Sequence, residues 1–435
     1  MDNINGESQK TFIDVRCFAI IIAFMFFSIY FPYNHTVAIL YQISVLLLGA
    51  WCCKDNSCGI VVILLLNTAR EYIAISTMDS FSAYYSLNSG IMIIFVLVLG
   101  VLKLYQKSWK IQFDIKHVLL ATLGIQMLMS QLWTTNLDEY NTYFPVVCCI
   151  YVFGTVMAEE ESINQTFKLA FVLAGFFMAI GVVPYYISHT SLQELTVLIN
   201  GNGLLVDRNY QSLFLMLCVL NSVLFLTEYG KNLSVLIKLV ILATIAGDVF
   251  IIVVGASRSA ILGFAVAVIV YILVNAKSIS GNIKLIGIMI VFIIFAYDAG
   301  LIEPIISRFT ESDVASGNGR FDLWVKYLSN YEQGNLGQLI FGRGLMGKSV
   351  VGAPAHNLFV SMLFSFGILG EILFLLYWGS VIVEALRACR EELIVVIPLL
   401  FMCCTLEPYY RIEFALYMAC IPMIFESRKR EIENG

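Results

Sequence analysis

Long runs of apolar residues, separated by short polar connections, recur along the chain from Cys17 to Phe425. Each run is close to the roughly 20 residues that an α-helix needs to cross the hydrocarbon core of a bilayer. The pattern predicts an all-α, polytopic integral membrane protein with about 12 to 14 transmembrane helices. The predicted helices occupy residues 17–33, 37–53, 58–76, 88–105, 115–133, 143–158, 167–187, 210–228, 234–255, 258–275, 283–300, 357–386, 393–407 and 411–426.

The composition supports this class. Of the 435 residues, 59% are hydrophobic and 13% charged, which is too few polar residues to cover a soluble protein of this length. The eleven cysteines fall mostly inside apolar runs at spacings that do not suit zinc, and the four histidines are scattered. We therefore expect no metal and no cofactor. Phosphate-binding loops and nucleic-acid modules are also missing from the sequence, so we expect no nucleic-acid partner.

Only one connection between the predicted helices is long. It divides the chain into a transmembrane bundle at 1–300 with about eleven spans, a large outer loop at 301–355, and C-terminal helices with a short tail at 356–435. A connection of this length in a compact fold is usually functional. The shorter loop at 188–208 is the second candidate on the same face.

A short helix is predicted inside the large loop. The stretch "GRFDLWVKYLSNY" places Phe321, Trp324, Tyr327 and Leu328 at helical spacings of three and four. We expect an amphipathic helix that lies over the membrane or caps a cavity.

Lysines and arginines are sorted between the two faces. With the N-terminus on the cytoplasmic side, 17 of the 26 basic residues fall in cytoplasmic connections, as the positive-inside rule requires. Twelve of those 17 are lysines, whereas seven of the nine outer ones are arginines. Arginine binds phosphate through a planar fork of donors, so the outer face is predicted to recognise phosphate or diphosphate. Chance and ordinary salt bridges are the alternative. The outer arginines are Arg70, Arg208, Arg258, Arg308, Arg320, Arg343 and Arg411.

A histidine stands where the large loop enters the next helix. Pro354 ends the loop, and Asn357 is a good N-cap for a helix that starts at Leu358. His356 then lies at the positive end of the helix dipole, which favours a neutral imidazole that can act as a general base. A hydrated capping residue is the alternative.

Small and ionisable residues follow inside the predicted spans. Gly367 and Gly370 form a small-residue stripe that favours close helix packing or leaves a groove for a lipid chain. Asp248 and Glu371 lie within predicted spans, where ionisable side chains are costly and are functional candidates, although both can instead serve packing partners.

Four segments resemble the O-antigen ligase and polymerase superfamily. His356-Asn357, nine residues and Gly367-x-x-Gly370 are similar to its His-[Asn/Ser/Gln]-x9-Gly-x-x-Gly signature. The other three are "DRNY" at 207–210, "GASRSAIL" at 255–262 and "GNGRFDLW" at 317–324, which occur in the expected order. Arg308 with Gly319 also matches an Arg-x10-Gly pattern of polymerase loops.

The resemblance implies glycosyl transfer from undecaprenyl-diphosphate-linked glycans at the periplasmic face of the bacterial inner membrane, without metal or nucleotide. His356, Arg320 and Arg258 are the implied catalytic residues: the arginines hold the diphosphate, and the histidine deprotonates or orients the acceptor hydroxyl. The substrate-binding candidates are Arg208, Asn357, Arg308, Arg343 and Arg411.

The superfamily performs two reactions. A polymerase joins two lipid-linked repeat units, whereas a ligase transfers finished polymer to the lipid A-core. The "DRNY" segment and the highly apolar body favour a polymerase, with a chain-length regulator and a flippase of the same pathway as expected partners. A lipid-linked oligosaccharide flippase is the alternative from another class, but the sequence has no repeated halves.

Overall fold

The computed structural model describes most of the chain from residue 114 onward. The predicted helices 17–33 and 37–53 lie outside the described residues, as does Arg308, and 283–300 has a single described residue. Within the described residues every element is helical and no strand occurs. The described residues are 114–134, 143–157, 163–189, 208–255, 257–275 and 319–434, with helical positions at 64–69, 72, 92–94, 96–98, 100–102, 104–105, 297 and 306.

Twelve helices with complete bounds follow one another in the described part. They are α1 Ile115–Ser130, α2 Phe144–Met157, α3 Ile163–His189, α4 Arg208–Tyr229, α5 Val235–Val254, α6 Arg258–Val274, α7 Arg320–Glu332, α8 Leu336–Phe341, α9 Gly347–Val351, α10 Leu358–Ala388, α11 Leu393–Cys403 and α12 Ile412–Asn434. Short 3-10 turns lie at Gln131–Trp133, Gly230–Asn232, Arg390–Glu392 and Pro408–Tyr410.

The predicted helices agree with α1–α6 and α10–α12 to within a few residues, except at two ends. The helix predicted over 393–407 stops at Cys403, and α12 continues past its predicted end to Asn434. The amphipathic helix predicted in the large loop is α7, and two further short helices, α8 and α9, follow it.

Four described helices are long and apolar enough to cross a membrane: Ile163–Pro184, Asn209–Asn232, Val235–Val254 and Leu358–Ala388. The α5 helix has the smallest buried share of the four, and its side chains Val235, Leu236, Leu239 and Leu242 are all exposed. An unpaired apolar face of this extent is stable in lipid rather than in water. The described fold is therefore all-helical, and its long apolar helices suggest membrane association.

Buried ion pairs fix one end of the helix bundle. Lys168 of α3 is fully buried and contacts Glu228 of α4 at 2.8 Å and Glu392, just before α11, at 2.6 Å. Arg428 of α12 also pairs with Glu228. A buried charge is stable only when it is paired in this way. Four chain segments are thus joined at the end of the bundle that the lysine distribution predicts to be cytoplasmic.

At the other end, a segment of the large loop enters the bundle between α1 and α10. The backbone N–H groups of Arg343 and Gly344 donate to the carbonyl oxygens of Phe364 and Ser365 at 3.0 and 2.8 Å. The Leu345 N–H donates to the side chain of Gln131 at 3.2 Å. We call residues 340–345 the inserted segment. Part of the predicted outer loop is therefore packed inside the bundle.

The inserted segment meets α10 where that helix is interrupted. Gly367 has φ 70° and ψ −177°, so α10 consists of two helical pieces joined at this residue. The amide of Gln126 on α1 donates to the carbonyl oxygens of Phe341 and Phe366, both at 3.0 Å. The sequence predicts Gly367 in a small-residue stripe that serves close helix packing or a lipid groove; in the structure it is the break that admits the inserted segment.

Candidate functional site

Five helices begin around one short connection, residues 404–411 between α11 and α12, which we call the polar connection. The amide of Asn357 at the start of α10 donates to the Cys404 carbonyl oxygen at 3.2 Å. Arg320 at the start of α7 donates to the Thr405 carbonyl oxygen at 3.5 Å. The Glu407 N–H donates to the hydroxyl of Tyr210, in the first turn of α4, at 3.4 Å. The fourth and fifth helices are α12, which follows the polar connection directly, and α6.

The start of α6 joins this group through α4. Ser257 caps α6 by accepting from the Ala260 N–H, and its hydroxyl donates to Oδ1 of Asn209 on α4 at 3.1 Å. Arg258 is therefore the first residue of a helix that begins beside the start of α4. Arg208 is the first residue of α4. The two arginines, which are far apart in sequence, thus begin neighbouring helices.

His356 has the most unusual backbone in this region. Its φ is 51°, and it is the one non-glycine residue with positive φ in the described part of the chain. Such a conformation costs roughly 1 kcal/mol or more and persists only where the surroundings impose it. The Glu407 carboxylate accepts the His356 N–H at 2.5 Å through Oε1 and the Ser361 hydroxyl at 2.8 Å through Oε2. The His356 side chain is half-buried.

Asn357 performs the capping role that the sequence predicts. Its Oδ1 accepts the Val360 N–H at 3.2 Å while its Nδ2 bonds the polar connection. Both ends of the amide are engaged within the protein, so Asn357 links the start of α10 to the end of α11.

Arg320 is positioned by the amphipathic helix α7. Gly319, with φ 76°, allows the chain to enter the helix sharply, and Arg320 is its first residue. One turn later, Trp324 donates from Nε1 to the Ala355 carbonyl oxygen at 2.8 Å. Residues four apart share a helix face, so Arg320 and Trp324 both face the approach to His356 and the polar connection.

Arg411 lies among tyrosines. Its guanidinium lies 4.4 Å from the ring centroid of Tyr210, 5.5 Å from that of Tyr410 and 5.7 Å from that of Tyr72. Burial alone would lower the pKa of Arg411, but Tyr72, Tyr410 and Glu413 raise it above its usual value, so the guanidinium stays charged. These contacts tie Arg411 into the protein beside the site.

Arg343 lies on the inserted segment rather than at a helix start. Its guanidinium lies 5.9 Å from the ring centroid of Phe364, six positions into α10. The neighbouring Phe366 packs against Tyr409 of the polar connection, with ring centroids 5.3 Å apart. The fold thus places Arg320, Arg411 and His356 at the polar connection and Arg258 at the helix start beside α4.

The two ionisable residues predicted within spans are away from the polar connection. Asp248 on α5 is fully buried beside Gly175 of α3, and neither of its carboxylate oxygens has a hydrogen-bond partner among the described residues. Glu371 lies half-buried on α10, beyond the break at Gly367.

The helix starts and arginines around the polar connection supply positive charge, which the buried carboxylates of Glu407 and Glu413 partly offset. Each helix N-terminus carries a partial positive charge and free N–H groups, and Arg258, Arg320 and Arg411 add full charges. Tyr409 stays neutral because burial, reinforced by Glu407, raises the pKa of its phenol well above the usual value. The arrangement suits an anion with several oxygens, such as a diphosphate. No group of three or more potential metal ligands occurs within the described residues.

Glu407 is the site residue that sequence reasoning missed. It is the last residue of the helix predicted over 393–407, and the prediction therefore assigns this single acidic residue to a span. The signal that could have identified it is Pro408, because a proline disfavours helix at the residue before it. A polar residue just before such a proline lies at a helix end rather than within a span.

Comparisons of the chain with protein-family models and with curated proteins give no match.

Proposed function

We propose that the protein is a membrane glycosyltransferase that joins lipid-diphosphate-linked oligosaccharide repeat units, as an O-antigen polymerase does. The observation that carries this proposal is that Arg320 and His356 both bond the polar connection, while Arg258 begins the helix beside α4, whose Tyr210 bonds the same connection. Three sequence segments that resemble the superfamily, far apart in the chain, each contribute one of these residues. Cationic groups beside a histidine are what transfer from a diphosphate donor requires.

The reaction follows from the roles of these groups. The acceptor hydroxyl oxygen attacks C1 of the donor sugar while its proton passes to the neutral imidazole of His356. The bond between C1 and the diphosphate oxygen breaks, and its electron pair leaves with the polyprenyl diphosphate. Arg320 and Arg258 stabilise the charge that develops on this leaving group. A direct displacement inverts the configuration at C1.

Such a reaction requires a site at the membrane surface on the periplasmic side. A lipid-linked donor presents its diphosphate at the membrane surface, and the arginines lie at one end of helices long enough to span the bilayer. We assign that end to the periplasm of a bacterial inner membrane and the Lys168 end to the cytoplasm. This assignment places both chain termini in the cytoplasm.

The test uses a variant that removes the imidazole of His356 without changing the backbone conformation at that position. Asparagine adopts positive φ more readily than most residues, so His356→Asn removes the imidazole and keeps the loop conformation. We expect His356→Asn and Arg320→Ala to lower the polymerisation rate by about 100-fold or more at wild-type protein abundance. Lys326→Ala, an exposed charge on α7, is the control and should retain wild-type activity.

A deletion strain distinguishes the candidate functions. Core capped by a single repeat unit indicates a polymerase, and long polymer left on the lipid carrier indicates a ligase. Repeat units confined to the cytoplasmic leaflet indicate a flippase. Wild-type glycan ladders from abundant His356→Asn and Arg320→Ala proteins would refute the catalytic assignment.

A further inference from the structure

The start of α10 depends on one acidic residue from another part of the chain. Glu407 is 5% exposed and belongs to the polar connection, 51 positions after His356. Its two carboxylate oxygens take separate partners: Oε1 accepts the His356 N–H and Oε2 accepts the Ser361 hydroxyl. One carboxylate therefore bridges the residue before the helix cap and the first turn of the helix.

This bridge explains how a histidine holds a left-handed backbone. With φ at 51°, the His356 N–H is bonded to Glu407, and the cap of α10 is supplied by Asn357. A charged acceptor makes a stronger hydrogen bond than a neutral one. Glu407 is itself held from the other side, because its N–H donates to Tyr210 on α4. The conformation of His356 is thus fixed through α4 and the polar connection.

The carboxylate also acts on the imidazole through its charge. Because Oε1 is bonded to the backbone of the histidine, the negative charge lies at short range from the ring. The charged groups that neighbouring elements bring to the same polar connection are Arg320 of α7, which donates to the Thr405 carbonyl oxygen, and Arg411, which stacks on Tyr210. An anion next to a histidine favours the protonated ring that forms when the acceptor is deprotonated.

We propose that Glu407 is the positioning residue of the proposed transferase: it fixes the backbone of His356 and stabilises the imidazolium formed during transfer. The proposal rests on the proposed function, since it concerns the same histidine. It assigns to Glu407 no contact with the substrate. Substitution of Glu407 should therefore change kcat and leave KM unchanged.

The test is a kinetic comparison in lipid nanodiscs with a synthetic polyprenyl-diphosphate-linked repeat unit as donor and acceptor. We expect Glu407→Gln to lower kcat at least tenfold with KM within twofold of wild type. The rising limb of the pH–rate profile should move to lower pH, since loss of the carboxylate charge makes the histidine easier to deprotonate. Glu426→Gln, the same substitution on a part-exposed acid of α12 that pairs with Arg430, is the control.

A second pair of variants keeps the test decisive if Glu407→Gln folds poorly. Glu407→Asp retains the charge but is too short to reach both partners, so kcat should fall while the pH limb stays in place. Ser361→Ala removes one partner and leaves the His356 bond, so its effect should be within threefold. Wild-type kcat and an unmoved pH limb in Glu407→Gln, or wild-type kcat in Glu407→Asp, would overturn the proposal.

The same assay separates this proposal from the proposed function. If His356→Asn loses activity and Glu407→Gln does not, the role of Glu407 is wrong and the proposed function stands. If His356→Asn is fully active, the catalytic assignment itself fails.

Discussion

Gly367 and Gly342 touch through their backbones. A Cβ on Gly367 would lie 2.4 Å from the Gly342 nitrogen and 2.4 Å from the Ile340 carbonyl oxygen. Gly367 also has positive φ, which only glycine adopts without strain. This contact lets the inserted segment enter the bundle at the break in α10.

Replacement of this glycine should therefore be costly. Gly367→Ala forces both a strained backbone and a steric overlap, and we expect it to destabilise the protein by at least about 2 kcal/mol. Gly379→Ala, on an exposed position of the same helix with nothing within 4 Å, is the matched control and should be neutral or slightly stabilising. Thermal unfolding in nanodiscs measures both. Equal melting temperatures would show that the break is not required.

The amide of Gln126 provides a second test of the same junction. Gln126→Leu leaves the carbonyl oxygens of Phe341 and Phe366 without this donor inside the bundle. Each buried acceptor left unsatisfied costs about 1–3 kcal/mol, so we expect a loss of roughly 2–4 kcal/mol. Met129→Leu, on the exposed side of α1, should change nothing. A Gln126→Leu protein as stable as the Met129→Leu control would contradict this account.

Much of the fold could be predicted from local pattern. The apolar runs give the bounds of the long helices to within a few residues, because burial in lipid or in the bundle requires an unbroken apolar stretch. The amphipathic spacing of Phe321, Trp324 and Tyr327 likewise predicts α7. These features depend only on neighbours in sequence.

The inserted segment could not be predicted in this way. Gln126 bonds Phe341 and Phe366, which are 215 and 240 positions away in sequence. A glycine within an apolar run is also ambiguous, since it serves a helix contact or a chain break equally well. The sequence therefore predicts Gly367 to be part of a small-residue stripe.

The sequence names candidate members of the site but does not give their assembly. The alternation of spans places Arg258, Arg320 and His356 on one face, and the resemblance to a family selects them. The contacts of Arg320 and His356 with the polar connection come from packing between distant segments of the chain. Glu407 has no sequence motif around it, because its role is defined by the two distant groups that its carboxylate bridges.

Lys168 should matter for stability more than for chemistry. Lys168→Met leaves Glu228 and Glu392 with Arg428 as their remaining partner at the far end of the bundle, and we expect a loss of up to about 3–5 kcal/mol. Lys231→Met, which removes an exposed lysine nearby, is the control and should stay within about 0.5 kcal/mol of wild type. Chemical denaturation of purified protein gives both values. Similar stability of the two variants would show that the buried pairs are dispensable.

Gly175 and Asp248 should be energetically coupled. A Cβ on Gly175 would lie 2.3 Å from Oδ2 of Asp248, so Gly175→Ala should destabilise the protein by about 1–3 kcal/mol. In an Asp248→Ala background that oxygen is gone, and the cost should fall. The double-mutant cycle should yield a coupling of about 0.5–3 kcal/mol. Additive effects would mean that the helices shift to accept the methyl group.

Arg411 allows a structural role to be separated from the substrate binding that the sequence predicts for it. Lysine keeps the charge but cannot stack a planar guanidinium on Tyr210, Tyr410 and Tyr72, so Arg411→Lys should lower stability by about 1–2 kcal/mol. Arg430→Lys, on an exposed part of α12, is the matched control. Melting temperature and KM for the lipid-linked donor should be measured together. Lower stability with unchanged KM supports a structural clamp, whereas a raised KM at wild-type stability assigns Arg411 to the substrate.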